Sequence, residues 1–246
     1  MTISRRILVS SAASVPLLTA LGEERASSPP SPHFKIVVTG GHPGDPECGC
    51  AGTIARYTSL GHDVVLLYMN RGEGFCKGGD PGRCGAVRTE EARKACEILK
   101  ARTAFVGQID GQSIVDNAHY EDFRHLLDSE KPDIVFAQWP IDQHRDHRAL
   151  SLLVLDAWLR GGKKSALYYY EVFEDTMMFS PAEYVDISDA AVESLRRAAC
   201  YAHASQNPDK WYPGQVALTR FRGSQSGHPQ AEGFLRHWES KNAFLP

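Results

Sequence analysis

From His33 onward, short unbroken apolar runs alternate with stretches of helical periodicity. FKIVVTG (34–40) predicts a buried strand, and CAGTIARYTSLG (50–61) predicts a helix stopped by Gly61. HDVVLLYM (62–69) is a second strand, followed by a glycine-rich loop over 70–85. VRTEEARKACEILK (87–100) reads as an amphipathic helix that offers Val87, Ala92, Ala95, Cys96 and Leu99 to a core. TAFVG (103–107), AHYEDFRHLLDSE (118–130) and PDIVFAQ (132–138) continue the alternation as strand, helix and strand. HRALSLLVLDAWL (147–159) is then a helix, ALYYYEVF (166–173) and EYVDIS (183–188) are strands, and DAAVESLRRAACYAHAS (189–205) is a last long helix. After Asn207, Trp, Pro, Gly and Arg follow one another without a period, and no element is predicted. Alternating strands and helices imply right-handed crossovers. The expected fold is therefore α/β and Rossmann-like, a mostly parallel sheet covered by helices on both faces. Ligands of such sheets lie beyond the carboxyl ends of the strands, which selects the loops 40–49, 70–85 and 138–147.

Length and charge narrow the picture. A chain of 246 residues suits one large domain. The formal charge is -3, with no long run of either sign, so no nucleic-acid footprint is present and a small, neutral partner is expected. The first 32 residues differ from the rest. Arg5 and Arg6 precede a mildly apolar stretch, Ile7 to Leu21, that is too short and polar for a stable membrane span but suits a twin-arginine export signal, with a Ser/Pro-rich linker after it. Residues 33–246 are the expected single domain of a protein exported to the periplasm or beyond. Six cysteines match no zinc-finger spacing, Cys76 and Cys84 bracket a loop that a disulfide could staple, and Cys96 reads as core.

The selected loops hold the polar residues of interest. His42 and Asp45 follow the first strand, and Asp142, His144, Asp146 and His147 follow the fourth. Hydrolytic zinc takes three side chains drawn from His and carboxylates and keeps a fourth position open. His42, Asp45 and one histidine of the second cluster would supply that set.

GGHPGDPECGCAGTIARYTSLGHDV together with WPIDQHRDHRAL resembles the PIG-L/LmbE family of zinc-dependent N-acetylglucosaminyl deacetylases, whose hallmarks are a His-Pro-Asp-Asp turn and a later His-x-Asp-His. The resemblance runs from about Phe34 to Gln206. It implies a metal held by His42, Asp45 and His147, with zinc first and iron(II) or another divalent ion acceptable to a His₂Asp set. It implies that His144 polarises the acyl oxygen or protonates the leaving amine while Asp146 orients it. It further implies that Arg88, Glu73 and Asp110 line an amino-sugar pocket, that His203 of YAHASQ lies near the site or a subunit contact, and that the protein is a homo-oligomer.

One position departs from that pattern. The family's general base is the first aspartate of the turn, where this chain has Gly44. Loss of such a base costs a factor of about 10² to 10⁴ in rate. Glu47, Asp142 or Glu73 would replace it; or Glu47 binds the metal and frees Asp45, since glycine permits an unusual backbone path. Otherwise the site binds a sugar without turnover. The expectation is a metal-dependent hydrolase that removes an N-acyl group, most simply acetyl, from an amino sugar or glycoconjugate, and a non-catalytic carbohydrate-binding protein is the alternative.

Overall fold

The computed structural model describes residues 32–75 and 79–246; the expected export segment and Cys76 lie outside the described residues. Strand parity divides the core into two layers. In β1 (Lys35–Gly40), Ile36 and Val38 face one way, into a cluster with Ile54, Ala95, Leu99 and Ala199 of the helices α1 (Asp45–Ser59), α2 (Pro81–Leu99) and α5 (Ala190–Ala202). Val37 faces the other way, with Val65 and Leu67 of β2 (Asp63–Tyr68), against Phe123 of α3 (Asn117–Glu130) and Leu150 and Leu153 of α4 (Arg145–Arg160). A strand buried on both faces needs apolar residues at every position, which explains its unbroken runs.

The remaining strands are β3 (Arg102–Phe105), β4 (Ile134–Gln138), β5 (Ala166–Tyr170), β6 (Glu183–Asp186) and β7 (Ala231–Arg236). They form a seven-stranded sheet in the order β3-β2-β1-β4-β5-β7-β6. β1 to β5 are mutually parallel, and β7 runs antiparallel to both β5 and β6. The chain winds outward from β1 through β2 to β3, then returns to lay β4 on the opposite side of β1. The loops after β1 and β4 therefore part, opening a crevice at the topological switch point.

Several elements differ from the sequence-based expectation. α1 begins at Asp45 rather than residue 50, with Gly44 as its N-cap at φ 107°. α2 reaches back to Pro81, where the Asp80 side chain accepts from the amides of Gly82 and Arg83. Val87 is 44% exposed, because the buried stripe of α2 runs through Arg88, Glu91, Ala92, Ala95 and Leu99 instead; Cys96 is buried as expected. The aperiodic tail contains α6 (Pro208–Ser226) and β7. The buried positions of α6 include Tyr212, Gln215, Thr219, Arg222 and Gly223, a helical spacing filled mostly by polar residues, and Pro213 lies within it. Its polar groups are satisfied by partners: Arg222 pairs with Glu171, and Gln215 Nε2 donates to the Cys48 carbonyl. Hydrophobic periodicity cannot reveal such a helix. No helix among the described residues is long and apolar enough to cross a membrane.

Candidate metal centre

The HPGD turn ends β1 and starts α1 within a few residues, so His42 and Asp45 are held by rigid elements. Asp45 is the first residue of α1 and His144 is the N-cap of α4; the positive ends of two helices thus converge on the crevice. The Asp45 carboxylate accepts from the His42 amide at 2.8 Å and from Gln138 Nε2 at 3.2 Å, while Gln138 Oε1 accepts from the Gly41 amide at 2.8 Å. Gln138 thereby ties the end of β4 to the turn after β1. Tight space at Gly41 also matters, since a Cβ there would stand 2.7 Å from His147 Cδ2.

His42 and Asp45 from the turn after β1, and His147 from the first turn of α4, present three donor atoms to one point. His42 Nδ1 lies 3.3 Å from Asp45 Oδ2 and 3.2 Å from His147 Nε2, and His147 Nε2 lies 3.1 Å from Asp45 Oδ2. Ligands around a tetrahedral ion at about 2.0–2.1 Å are about 3.3–3.4 Å apart, so the donor set and its spacing fit a divalent metal. The far nitrogen of each histidine meets a carboxylate: His42 Nε2 is 3.1 Å from Asp110 Oδ1 and 3.2 Å from Asp146 Oδ2, and His147 Nδ1 is 3.1 Å from Asp142 Oδ1. Such partners fix the tautomer and ring orientation of metal-binding histidines. Overlapping groups, His42 with His144 and His147, and His42 with Asp110 and Asp146, are also close enough to share a cation.

Titration agrees with a site that demands positive charge. Burial opposes protonation of His42, yet hydrogen bonds to Asp110, Asp146 and Asp45 raise its pKa well above the usual value. Burial likewise opposes the charge on His147, but Asp45 and Asp142 raise it to about 9. Asp45 is lowered well below the carboxylate range, with burial outweighed by His147 and His42. His144 goes the other way, lowered by burial and then by the neighbouring His42 and His147.

The remaining expected site residues fall into distinct places. His144 stands at the crevice, its ring 4.5 Å from that of His42, and its Nδ1 accepts from the Asp146 amide at 3.3 Å. Asp146 was expected to orient His144 through its carboxylate; the carboxylate instead meets His42 Nε2 and accepts from Asn70 Nδ2 and the Gly111 amide. Asp142 sits behind His147 and also accepts from the His144 amide and Thr176 Oγ1. Glu47 is fully buried and accepts from Tyr68 Oη at 2.6 Å and the Gly44 amide at 3.2 Å, with His203 Nε2 at 2.9 Å. His203 is thus in the core beneath the turn. Arg88, 3% exposed, donates to the Pro43 carbonyl at 2.6 Å and clamps the turn; Glu73 is held by Arg71.

Sequence reasoning missed Gln138, Gln206 and Asp175. Gln206 Nε2 donates to the Pro43 carbonyl at 2.9 Å, and a Cβ on Gly44 would lie 2.9 Å from that same nitrogen. The glutamine amide therefore fills the space a side chain at position 44 would enter. Asp175, between β5 and β6, has its pKa raised, first by burial, with Asp142 and Asp45 adding and His147 opposing. Gln138, a polar residue closing an apolar strand, and Gln206, the last residue of YAHASQ, carried a local signal; Asp175 carried none.

Comparison with known proteins matches this arrangement. The family described as PIG-L, GlcNAc-PI de-N-acetylase, matches residues 37–158. The diacetylchitobiose deacetylase of Thermococcus kodakarensis is 29% identical over 226 residues, covering 81% of this chain and 81% of that protein. Among solved structures, a conserved protein of Thermus thermophilus aligns with a TM-score of 0.74 and 27% identity over 85% of this chain and 97% of its own. The 4-carboxy-2-hydroxymuconate hydratase of Pseudomonas putida shares the fold, with a TM-score of 0.75 and 20% identity over 87% of this chain and 100% of its own. The fold alone thus hosts more than one reaction. With the HPGD turn and the HRDH segment meeting across the β1/β4 switch point, and the family match spanning both, the chain belongs to the PIG-L family.

Proposed function

We propose that the protein is a metal-dependent N-deacetylase acting on an N-acetylated amino sugar or glycoconjugate. The observation that carries this reading is the trio His42 Nδ1, Asp45 Oδ2 and His147 Nε2, mutually 3.1–3.3 Å apart and backed by carboxylates. The likeness to a diacetylchitobiose deacetylase supports the substrate class. His42, Asp45 and His147 would hold the ion, with zinc the first choice. A divalent cation there supplies Lewis-acid polarisation of an amide carbonyl and acidifies water. His144 uses Nδ1 as the helix cap, which leaves Nε2–H to donate to the acyl oxygen as negative charge develops on it. Arg88 and Gln206 share the Pro43 carbonyl and so fix the turn that aims Asp45. Metal analysis together with acetate release from N,N'-diacetylchitobiose and related N-acetyl sugars tests the reading: one zinc per chain and catalytic release are expected.

A specific observation favours a second reading, a carbohydrate-binding protein without turnover. Gly44 offers no carboxylate, and Gln206 fills its space. Bound zinc and measurable sugar binding with no acetate release from a broad panel would select that reading over the first.

A further inference from the structure

The cavity beside the HPGD turn holds a carboxylate from another part of the chain. Gly44, Asp45 and Gln206 line this space of about 110 Å³ together with Phe173, Glu174 and Asp175 of the β5–β6 loop. Asp175 is half-buried, and its carboxylate comes within 4.8 Å of a ring nitrogen of His147 and of the Asp142 carboxylate. Its backbone is pinned. The Gln143 amide donates to the Asp175 carbonyl at 2.9 Å, and the next residue, Thr176, donates through Oγ1 to Asp142 at 3.0 Å while accepting from the Val172 amide at 2.8 Å. The loop is therefore fastened to the β4–α4 segment that carries His147.

The other acids of the site are engaged. Asp142 holds His147, His144 and Thr176; Asp146 and Asp110 hold His42; Glu47 is locked among Tyr68, His203 and Gly44; Glu73 pairs with Arg71. Among the described residues the Asp175 side chain has neither a hydrogen bond nor an ion pair, although it is partly withdrawn from water. Glu174 shares the cavity but is exposed. A half-buried carboxylate with no hydrogen-bond partner among the described residues, held beside His147, has lone pairs available for chemistry.

We propose that Asp175 is the general base of the hydrolysis, replacing from the β5–β6 loop the side chain that Gly44 lacks. This rests on the deacetylase reading. Asp175 takes one proton from the attacking water as its oxygen bonds to the acyl carbon. When the C–N bond then breaks, the nitrogen takes up that proton to give a free amine and acetic acid, whose remaining proton passes to the amine to leave acetate and an ammonium group, with no change of oxidation state. Gln206, in the seat of a residue at position 44, lines the same cavity.

The zinc-loaded full chain, its Asp175→Asn variant and its Asp175→Ala variant, assayed with N,N'-diacetylchitobiose alongside zinc content, test this. The expected result is a fall in kcat of about 10² to 10⁴-fold in both variants with KM and zinc stoichiometry close to native, and partial recovery of Asp175→Ala on adding formate. Formate stands in for a lost carboxylate and would not repair a loop that had merely lost its structure. If native protein is active and Asp175→Asn keeps more than a tenth of kcat, the base assignment alone is wrong. Loss of zinc from Asp175→Asn would make the residue a ligand and overturn the assignment equally. Native protein that releases no acetate from any N-acetyl sugar removes the deacetylase reading, and the base falls with it.

Discussion

Gly44 has a φ of 107°, a region that L side chains rarely occupy, and a Cβ there meets the Gln206 amide at 2.9 Å. Any side chain at this position costs about 1–3 kcal/mol in backbone strain before its chemistry counts. Gly44→Asp is therefore expected to lower Tm without raising kcat, and the double variant Gly44→Asp/Gln206→Ala to recover part of that Tm by clearing the seat; thermal melts and initial rates of both check it. A large gain in kcat from Gly44→Asp alone would mean that the turn relaxes readily and that the native site lacks an effective base. The three donors of the proposed metal site were legible in the sequence because two short motifs, HPGD and HRDH, carry donors of recognisable type and match the family resemblance. The orientation of Asp146 was not, since residues two apart at a helix start point in different directions, and its carboxylate turns to His42 rather than to His144.

α1 carries more of the site than its sequence suggests, because three other elements seize its first turns. Glu47 joins it to Tyr68 of β2 and to His203 at the end of α5, and Glu232 of β7 accepts from the amides of Gly52 and Thr53 and from Thr53 Oγ1, at 2.6–2.8 Å. Removing a buried acceptor strands its donors, each at roughly 1–3 kcal/mol. Glu47→Gln is expected to lower Tm by several degrees while kcat stays within a few-fold of native, because the carboxylate faces the core and not the crevice. A thousandfold loss of kcat with an unchanged Tm would show instead that Glu47 reaches the reacting atoms. Glu232→Ala should destabilise the protein by about 2–4 kcal/mol in urea denaturation, through the same stranded donors. The order β1 to β5 was readable from apolar runs. α6 and β7 were not, because α6 buries Gln215, Thr219 and Arg222 against polar partners contributed by distant segments.

Four carboxylates, Asp45, Asp110, Asp142 and Asp146, enclose His42 and His147, so the charge balance of the whole metal-free site favours protons until a cation replaces them. His147 is raised from 6.5 to about 9, with burial opposing and Asp45 and Asp142 prevailing, and His42 is raised as well. A histidine whose pKa is raised by folding adds stability that is complete below pH 6.5 and disappears as pH rises through about 9. The metal-free protein is thus expected to lose Tm between pH 6.5 and 9, whereas saturating zinc should raise Tm and flatten that slope. Melts in EDTA and in zinc across this range check it; a metal-free Tm that climbs with pH would contradict the sign.

Local pattern was enough for the strand and helix alternation through α5, the two-faced burial of the sheet and the candidate donors His42, Asp45 and one histidine of the second cluster, because each of these depends on short-range periodicity or on a donor type at a fixed spacing, while the choice of His147 came from the family resemblance. Folding in three dimensions was needed to settle which carboxylates stand behind the histidines, that Gln206 fills the seat at Gly44, and that Asp175 comes beside His147 from a loop 28 residues further along the chain. These are contacts between segments far apart in the chain, made where β1 and β4 meet and the β5–β6 loop folds over them, and no local pattern encodes which side chain will fill a space opened by a distant backbone.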